Sequence, residues 1–354
     1  MKRITEILAK NARQNKNRIR DIVLAVTYRC NGRCKFCNIW KEGDISTLQP
    51  TDYIKLPRNA RNINITGGEP FLREDIVEII RAIVRQCPKA KIIISTNGFS
   101  PSLIKRRLQE IMRFKRDIGL AVSLDGFGRV HEEIRGFPGG FSLAMETIRL
   151  SRELGVRKIK IAFNLSDSNF KQLKKTYRLS KEMGTEFTFS VLHNSSHYFK
   201  KTNNSILELN KIRREILWLI NQEIGEISPK RWLRAYFAHG ALYFLKNNQR
   251  ILPDYSGQNS VFIAPTGEIY PSNVWDLKLG HLLDIRDWDS FSSEAIRQME
   301  TKVGPANWMI CTARQAMKKN WQKVAIWILT KKFSFLKMGK RKFQGLETII
   351  RKAN

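Results

Sequence analysis

Six short runs rich in Val, Ile and Phe recur along the first two hundred residues, at 22–27, 63–66, 91–95, 120–124, 158–164 and 187–191. Runs of this length and composition suit strands buried on both faces, as in a parallel sheet. The stretches between them have helical length and spacing. In 75–86 the residues Ile76, Ile79, Ile80 and Ile83 fall on one face, and segments 143–154 and 170–183 end at Gly155 and Gly184, where a helix stop is expected. Strand-then-helix units in series imply a parallel sheet with right-handed crossovers. Six such units suit a curved or partly closed barrel better than a flat doubly wound sheet.

Beyond residue 206 the period changes. Segments 206–227 and 232–246 read as helices, and 260–271 reads as a hairpin turning at Pro265-Thr266-Gly267. A small second domain is expected near 250–312. With 42% hydrophobic and 27% charged residues, the chain can build a large core, and global disorder is excluded.

The charge balance is +31, from 63 Lys and Arg against 32 Asp and Glu. It is concentrated at the ends: +6 falls in residues 1–20 and +12 in residues 301–354. Such a field attracts nucleic acid, acidic lipid headgroups or polyanionic substrates. The start of the chain lacks the apolar stretch of a signal peptide, and no run of 18 apolar residues exists. The expected compartment is the cytoplasm, where thiols stay reduced and free to bind metals.

Five cysteines are too few for a disulfide scaffold. Three of them, Cys30, Cys34 and Cys37, fall within eight residues directly after the first strand run. A loop at a strand's C-terminal end is where α/β proteins place chemistry. Three thiolates at this spacing can hold three corners of a cubane iron–sulfur cluster and leave the fourth iron open. A zinc knuckle would need a fourth ligand nearby, and no further Cys or His occurs between Tyr28 and Leu56.

The pattern Cys30-x3-Cys34-x2-Cys37, with Phe36 before the last cysteine, resembles the signature of the radical S-adenosylmethionine (radical SAM) superfamily. The companion motifs sit at successive strand ends: Thr66-Gly67-Gly68-Glu69-Pro70, Ser95-Thr96-Asn97-Gly98, and Ser123-Leu124-Asp125-Gly126 followed by His131 to Gly136. The resemblance covers roughly residues 20–200. It implies an α/β fold, a partial (β/α)6 TIM-like barrel, and one 4Fe-4S cluster on Cys30, Cys34 and Cys37. It also implies S-adenosylmethionine as cofactor and an external electron donor of the flavodoxin or ferredoxin type. The open iron would chelate S-adenosylmethionine, and its reductive cleavage would give methionine and a 5′-deoxyadenosyl radical that abstracts hydrogen.

The resemblance assigns further roles. Gly67 and Gly68 would let the backbone approach the methionine ammonium, with Glu69 accepting a hydrogen bond there. Thr96 and Asn97 offer donors and acceptors at the next strand end. Ser123 and Asp125 would bond ribose hydroxyls or the methionyl group, Arg135 would pair with the carboxylate, and Phe36 would pack near the adenine. No catalytic acid or base is assigned; His193 and His197 follow the sixth strand, and a polar loop role is expected for both.

The C-terminal region resembles a degenerate extension of the SPASM or twitch type, which binds auxiliary clusters. Asp254, Ser272 and Asn307 stand where thiolates would be expected, and Cys311 alone remains. A single cluster per chain follows. Cys311 and Cys87 then read as small apolar residues. The expected organisation is a basic N-terminal helix at 1–20, the radical SAM core at 21–200 and linking helices at 201–249. A SPASM/twitch-like region at 250–312 and a basic amphipathic tail at 313–354 complete it.

Residues 318–342 contain no acid, and Trp321, Val324, Ala325 and Ile328 fall on one helical face. A basic amphipathic segment of this kind suits an anionic membrane surface. The favoured expectation is a radical SAM enzyme acting on a lipid, lipid-linked or other membrane-associated substrate, with peripheral location at the inner membrane face. Peptide modification is the alternative. An RNA-modifying or RNA-binding role is less favoured, because no recognisable RNA module is present.

Overall fold

Strand β1, Asp21–Thr27, is buried at every residue. It lies inside a nine-stranded sheet, so neither face nor edge meets water. Strands β2 (Asn62–Gly67), β3 (Lys91–Thr96), β4 (Gly119–Ser123), β5 (Lys158–Leu165) and β6 (Glu186–Val191) follow in sequence order, all parallel. Their bounds match the six expected runs to within a residue or so. The structure is a computed structural model and describes residues 19–300, 302 and 304–335. The expected N-terminal helix falls outside these residues except for its last two positions, as does the tail beyond 335.

The crossovers are α1 (Ile76–Gln86), α2 (Pro101–Met112), α3 (Arg129–Arg135) with α4 (Gly140–Glu153), and α5 (Leu173–Glu182). Helices α6 (Leu209–Gly225) and α7 (Pro229–Asn247) follow β6. The first crossover departs from expectation, because it holds only the 3-10 turns Ile39–Lys41 and Pro50–Lys55. The three-thiol loop occupies that connection, and Gly43 at φ 69° and Pro50 interrupt any longer helix.

Alternate strand residues divide the sheet into two faces. Ile22, Leu24, Val26, Ile63, Ile65 and Ile92 pack outward against Ile79, Ile80 and Ile83 of α1 in one buried cluster. Each such side chain stabilises the fold by about 1.5–3 kcal/mol. The inward residues are far more polar: Asn62 and Asn64 on β2, Ser95 on β3, Ser123 on β4, Asn164 on β5, and Ser190 on β6.

The segment expected as a small second domain does not build a sheet of its own. Strand β7 (Ser260–Ile263) pairs in parallel with β1, with Asp21 opposite Ser260 and Leu24 opposite Ile263. Strands β8 (Glu268–Tyr270) and β9 (Gly280–His281) continue antiparallel from it. The described strands show no pairing of β6 with β1, so β1 offers its outer edge to β7. Helix α8 (Trp288–Glu300) follows, then α9 (Ile310–Lys319), which packs on β1 and β7. Residues 321–335 form a last helix, α10.

Candidate active site

The three-thiol loop leaves the C-terminal end of β1 and is pinned from two sides. Arg33 N donates to Arg135 O at 2.8 Å, and Lys35 N donates to Ile134 O at 2.8 Å, fixing the loop to the end of α3. Asn38 N donates to Phe199 O at 2.8 Å, tying the loop's far end to the segment after β6. Cys30, Cys34 and Cys37 form no disulfide and are half-buried.

The Gly67-Gly68 turn lies against the root of this loop. Gly68 N donates to Thr27 O at 2.8 Å, and Glu69 N donates to Arg29 O at 2.9 Å. Gly67 has φ 131°, and a Cβ there would collide with Thr27 O; one on Gly68 would collide with Arg29 O and Tyr28 O. The two glycines are therefore required for the close approach of two protein segments, a demand the expected contact with methionine did not anticipate.

Glu69 is fully buried. Its Oε1 accepts from Phe71 N at 3.2 Å and Thr96 Oγ1 at 2.9 Å, and its Oε2 accepts from Asn97 N at 2.7 Å. Burial pushes its carboxyl up to about 7, against the pull of those donors. Both oxygens are engaged, so Glu69 braces β2 to β3 rather than offering a vacant acceptor to a cofactor. Thr96 is committed to the same brace. Asn97 instead reaches the loop: Nδ2 donates to Asn31 Oδ1 at 2.7 Å and approaches Cys30 Sγ at 3.9 Å.

Asp125 and Arg135 meet each other. Arg135 Nε lies 2.6 Å from Asp125 Oδ2, off the direct hydrogen-bond line. Asp125 Oδ1 accepts from Asn164 N at 2.7 Å. Arg135 Nη1 approaches Cys34 Sγ at 3.8 Å, and its guanidinium stands 5.3 Å from the centre of the Phe36 ring. Burial opposes the Arg135 charge, but Asp125 and Cys34 outweigh it and hold the guanidinium protonated. The expected ribose role of Asp125 thus meets a carboxylate already paired within the protein. Ser123 and Phe36 line the open chamber.

The donor set fits an iron–sulfur cluster. Burial, then the neighbouring thiols, push Cys30 and Cys37 up to about 12. Thiols this close together become thiolates readily only beside positive charge or a metal. Backbone N–H groups of Gly32 and Ile39 point at the sulfurs of Cys30 and Cys37, joining Asn97 and Arg135 in facing them. Donors to sulfur are a usual means of tuning such clusters. Among the described residues, no three His, Cys, Asp or Glu side chains close around a single metal ion.

Below the loop lies a chamber of about 340 Å³ inside the barrel, lined by Phe36 and Arg135 at the loop end and by Asp21, Lys160 and Arg314 at the other. Its size suits a small-molecule site. Its polar strand residues escaped the site residues expected from sequence. The signal was present as alternation: Asn62, Asn64 and Thr66 on β2, and Thr188 and Ser190 on β6, at spacing two. Tyr198 was also missed; its hydroxyl lies 3.0 Å from Thr66 Oγ1 and donates to Gly67 O at 3.3 Å.

His193 and His197 are buried and structural. His193 Nε2 accepts from Trp308 N at 3.0 Å, while Nδ1 lies 2.8 Å from Val191 O. His197 stacks on Tyr270 and its Nε2 lies 3.1 Å from Ser272 O. Both tie the barrel to the C-terminal segment. Cys87 is buried with its Sγ donating to Pro57 O at 3.3 Å, the structural place expected of it.

The positions expected to replace auxiliary-cluster thiolates carry a hydrogen-bonded network. Asn307 Nδ2 donates to Asp254 Oδ2 at 3.0 Å, and Arg250 Nη1 donates to Asn307 Oδ1 at 2.8 Å and to Thr312 Oγ1 at 3.1 Å. Ser272 Oγ accepts from Trp275 N at 3.2 Å. Cys311 borders that network, with the Thr312 backbone N–H facing its sulfur, and lines the chamber.

A partial parallel barrel with three thiols on its first loop and glycine-rich loops beside them defines a radical SAM enzyme. Residues 24–180 match the Radical SAM superfamily and belong to it. That family binds a 4Fe-4S cluster and S-adenosylmethionine, and both are cofactors of this chain. Among curated proteins, the chain is 30% identical over 173 residues to the probable GTP 3',8-cyclase of Saccharolobus solfataricus, covering 47% of this chain and 54% of that protein. It is 28% identical over 174 residues to the probable GTP 3',8-cyclase of Sulfurisphaera tokodaii, covering 48% and 54%. The chain thus spans about half the length of the curated relatives it matches.

Among solved structures, Streptococcus suis SuiB bound to S-adenosylmethionine superposes with a TM-score of 0.60 at 19% identity, covering 82% of this chain and 70% of that one. The enzyme anSMEcpe with bound AdoMet and the Cp18Cys peptide gives 0.58 at 16% identity, covering 88% and 100%. These are likenesses of fold.

Proposed function

We propose that the chain cleaves S-adenosylmethionine reductively at one 4Fe-4S cluster held by Cys30, Cys34 and Cys37, and abstracts hydrogen from a membrane-associated substrate held in the barrel chamber. The observation that carries this reading is the placement of the thiol loop over a chamber whose upper wall is Phe36 and Arg135. Cys30, Cys34 and Cys37 would hold the cluster, which would supply the electron for reductive cleavage of the sulfonium and so the means of hydrogen abstraction. An external donor of the flavodoxin or ferredoxin type recharges it.

The chain's own residues hold and shield this chemistry. Asn97 and Arg135 stand beside Cys30 and Cys34 and offset the thiolate charge. The Gly67-Gly68 turn, braced by Glu69 and Thr96, forms a wall with backbone groups to orient the methionyl part. Ser123 faces the chamber and can bond a ribose hydroxyl, while Asp125 acts by holding Arg135. Phe36 offers an apolar surface to the adenine.

The membrane part of the reading is supported by α10. The face expected at the membrane is not the exposed one, because its Val324 and Ile328 pack into the main core; a different row, Ile326, Leu329 and Phe333 with Trp321, is 65%, 57%, 65% and 64% exposed. Lys318, Lys319, Lys323, Lys331 and Lys332 accompany this exposed apolar stripe. An apolar row with a lysine fringe suits an anionic lipid surface. Among the described residues no helix is long and apolar enough to cross a membrane.

Two experiments test the reading. Reconstituted protein with Cys30→Ala, Cys34→Ala or Cys37→Ala should hold no cluster and release no 5′-deoxyadenosine; normal yield from any of them refutes the reaction. Flotation with phosphatidylglycerol vesicles should depend on Trp321, Leu329 and Phe333. Flotation unaffected by changing all three to Ser rejects the membrane part.

A further inference from the structure

The lower end of the chamber has a charge imbalance that the radical chemistry does not use. Glu186 is shared by Lys160 at 3.8 Å, by Arg234 at 2.7 Å and by Lys230. Asp21 is shared by Arg314 at 3.3 Å and by the Asn62 amide at 2.7 Å. Four cations therefore share two carboxylates; of these groups Lys160, Arg314 and Asp21 line the chamber, and Lys91 stands on the same rim. The Lys160 side chain is 23% exposed. Its 3.8 Å separation from Glu186 is too long for a hydrogen bond. A largely buried ammonium whose carboxylate partner stands 3.8 Å away and also serves Lys230 and Arg234 is under-compensated, and a ligand anion would make up the difference. Burial, together with Arg314, Lys230 and Arg234, pulls Lys160 down to about 8, against the pull of Glu186.

Above this rim the wall carries amides and hydroxyls. Asn64 Oδ1 accepts from Ser95 Oγ at 3.0 Å, and Asn164 Oδ1 accepts from Ser190 Oγ at 3.0 Å. Each bond uses the amide oxygen and leaves the amide nitrogen for a guest. Such a wall favours hydroxyl-bearing molecules over hydrocarbon.

We propose that the lower mouth of the chamber is an anion site, in which Lys160 and Arg314 hold a phosphate-like group of a polar substrate whose hydroxyl-bearing body extends along the Asn–Ser wall toward the thiol loop. The inference rests on the reading of this chamber as the substrate chamber. The phosphate belongs either to a soluble ester or to the headgroup of a lipid. Helix α9, which carries Arg314, leads through Lys318 and Lys319 into α10.

The test is binding to the full-length reconstituted protein. Inorganic pyrophosphate and glycerol 3-phosphate are titrated calorimetrically, and phosphatidylglycerol vesicles form a second arm. Lys160→Gln and Arg314→Gln should each weaken one of these arms, by about tenfold or more for the largely buried Lys160 and by less for the half-exposed Arg314. Lys160→Arg should retain binding, and Lys105→Gln on α2 should leave it unchanged. Melting temperatures identify any variant that fails to fold, and Lys160→Arg carries the test in that case. Binding lost in the soluble arm assigns a soluble ester; binding lost in the vesicle arm alone assigns a lipid headgroup. Indifference of both arms to Lys160 and Arg314, or equal weakening by Lys105→Gln, overturns the site. A protein that still cleaves S-adenosylmethionine while failing this test loses only the anion site, not the radical reaction.

Discussion

Arg135 Nε sits 2.6 Å from Asp125 Oδ2, with Asp125 fully buried and Arg135 nearly so. This pair links the loop after β4 to the end of α3, and through the Arg135 backbone to the thiol loop. Removing one partner of a buried pair strands the other charge. Asp125→Ala is expected to cost about 3–5 kcal/mol in urea unfolding. A loss below about 1 kcal/mol, the range of a surface pair, would show that Arg135 finds full compensation elsewhere.

Gly68→Ala is expected to empty the cluster site although it changes no ligand. Its Cβ would enter the space of Arg29 O and Tyr28 O at the root of the thiol loop. Iron per chain after reconstitution should fall steeply. Gly43→Ala is the comparison: it too has a positive φ, 69°, but a Cβ there meets nothing within 4 Å. That change should cost only about 1 kcal/mol of backbone strain and leave iron content intact. Equal iron in both variants would rule out the packing explanation.

Acid should destabilise the fold through its buried histidines. Burial pulls His193 and His197 from an ordinary 6.5 down to about 4. In both states they are neutral above pH 6.5, so stability is then complete. Between about 6.5 and 4 the unfolded chain binds protons that the folded chain refuses, and stability falls with pH. The slope is about 1.4 kcal/mol per pH unit for each proton. Urea midpoints across this window should show it, and His193→Gln should remove one proton's share. A slope unchanged by that substitution would exclude His193 as a contributor.

One cluster per chain is expected, with about four irons. Arg250, Asp254, Asn307 and Thr312 form a hydrogen-bonded set where an auxiliary cluster would need thiolates. Iron and sulfide analysis of reconstituted protein checks this, and about eight irons would contradict it.

The barrel was legible in the sequence because its strands are short, β-branched and punctuated by helix stops. The thiol loop was legible because three cysteines at close spacing have few other uses. What escaped was pairwise. Glu69 looked like a free acceptor, and only the approach of β3 reveals that Thr96 and Asn97 occupy it. Asp125 and Arg135 looked like two cofactor contacts, although the helix Arg129–Arg135 folds back from the β4 loop and brings them together. The hairpin at 260–271 was recognised, but its union with β1 depends on an edge that no local pattern reports. The chamber's polar wall was written as alternation within runs whose Val and Ile content drew attention first.

The pairing of β7 with β1 also orders events in time. The strand that carries the thiol loop is made before the other strands of the barrel, yet its outer edge stays bare until Ser260–Ile263 has emerged. An exposed strand edge invites pairing with other chains. During synthesis the nascent barrel must therefore wait, with one edge exposed, for a partner strand that follows all six strands of the barrel. A ribosome that stalls before residue 260 would release a chain with its catalytic loop already made and the strand beneath it still unguarded.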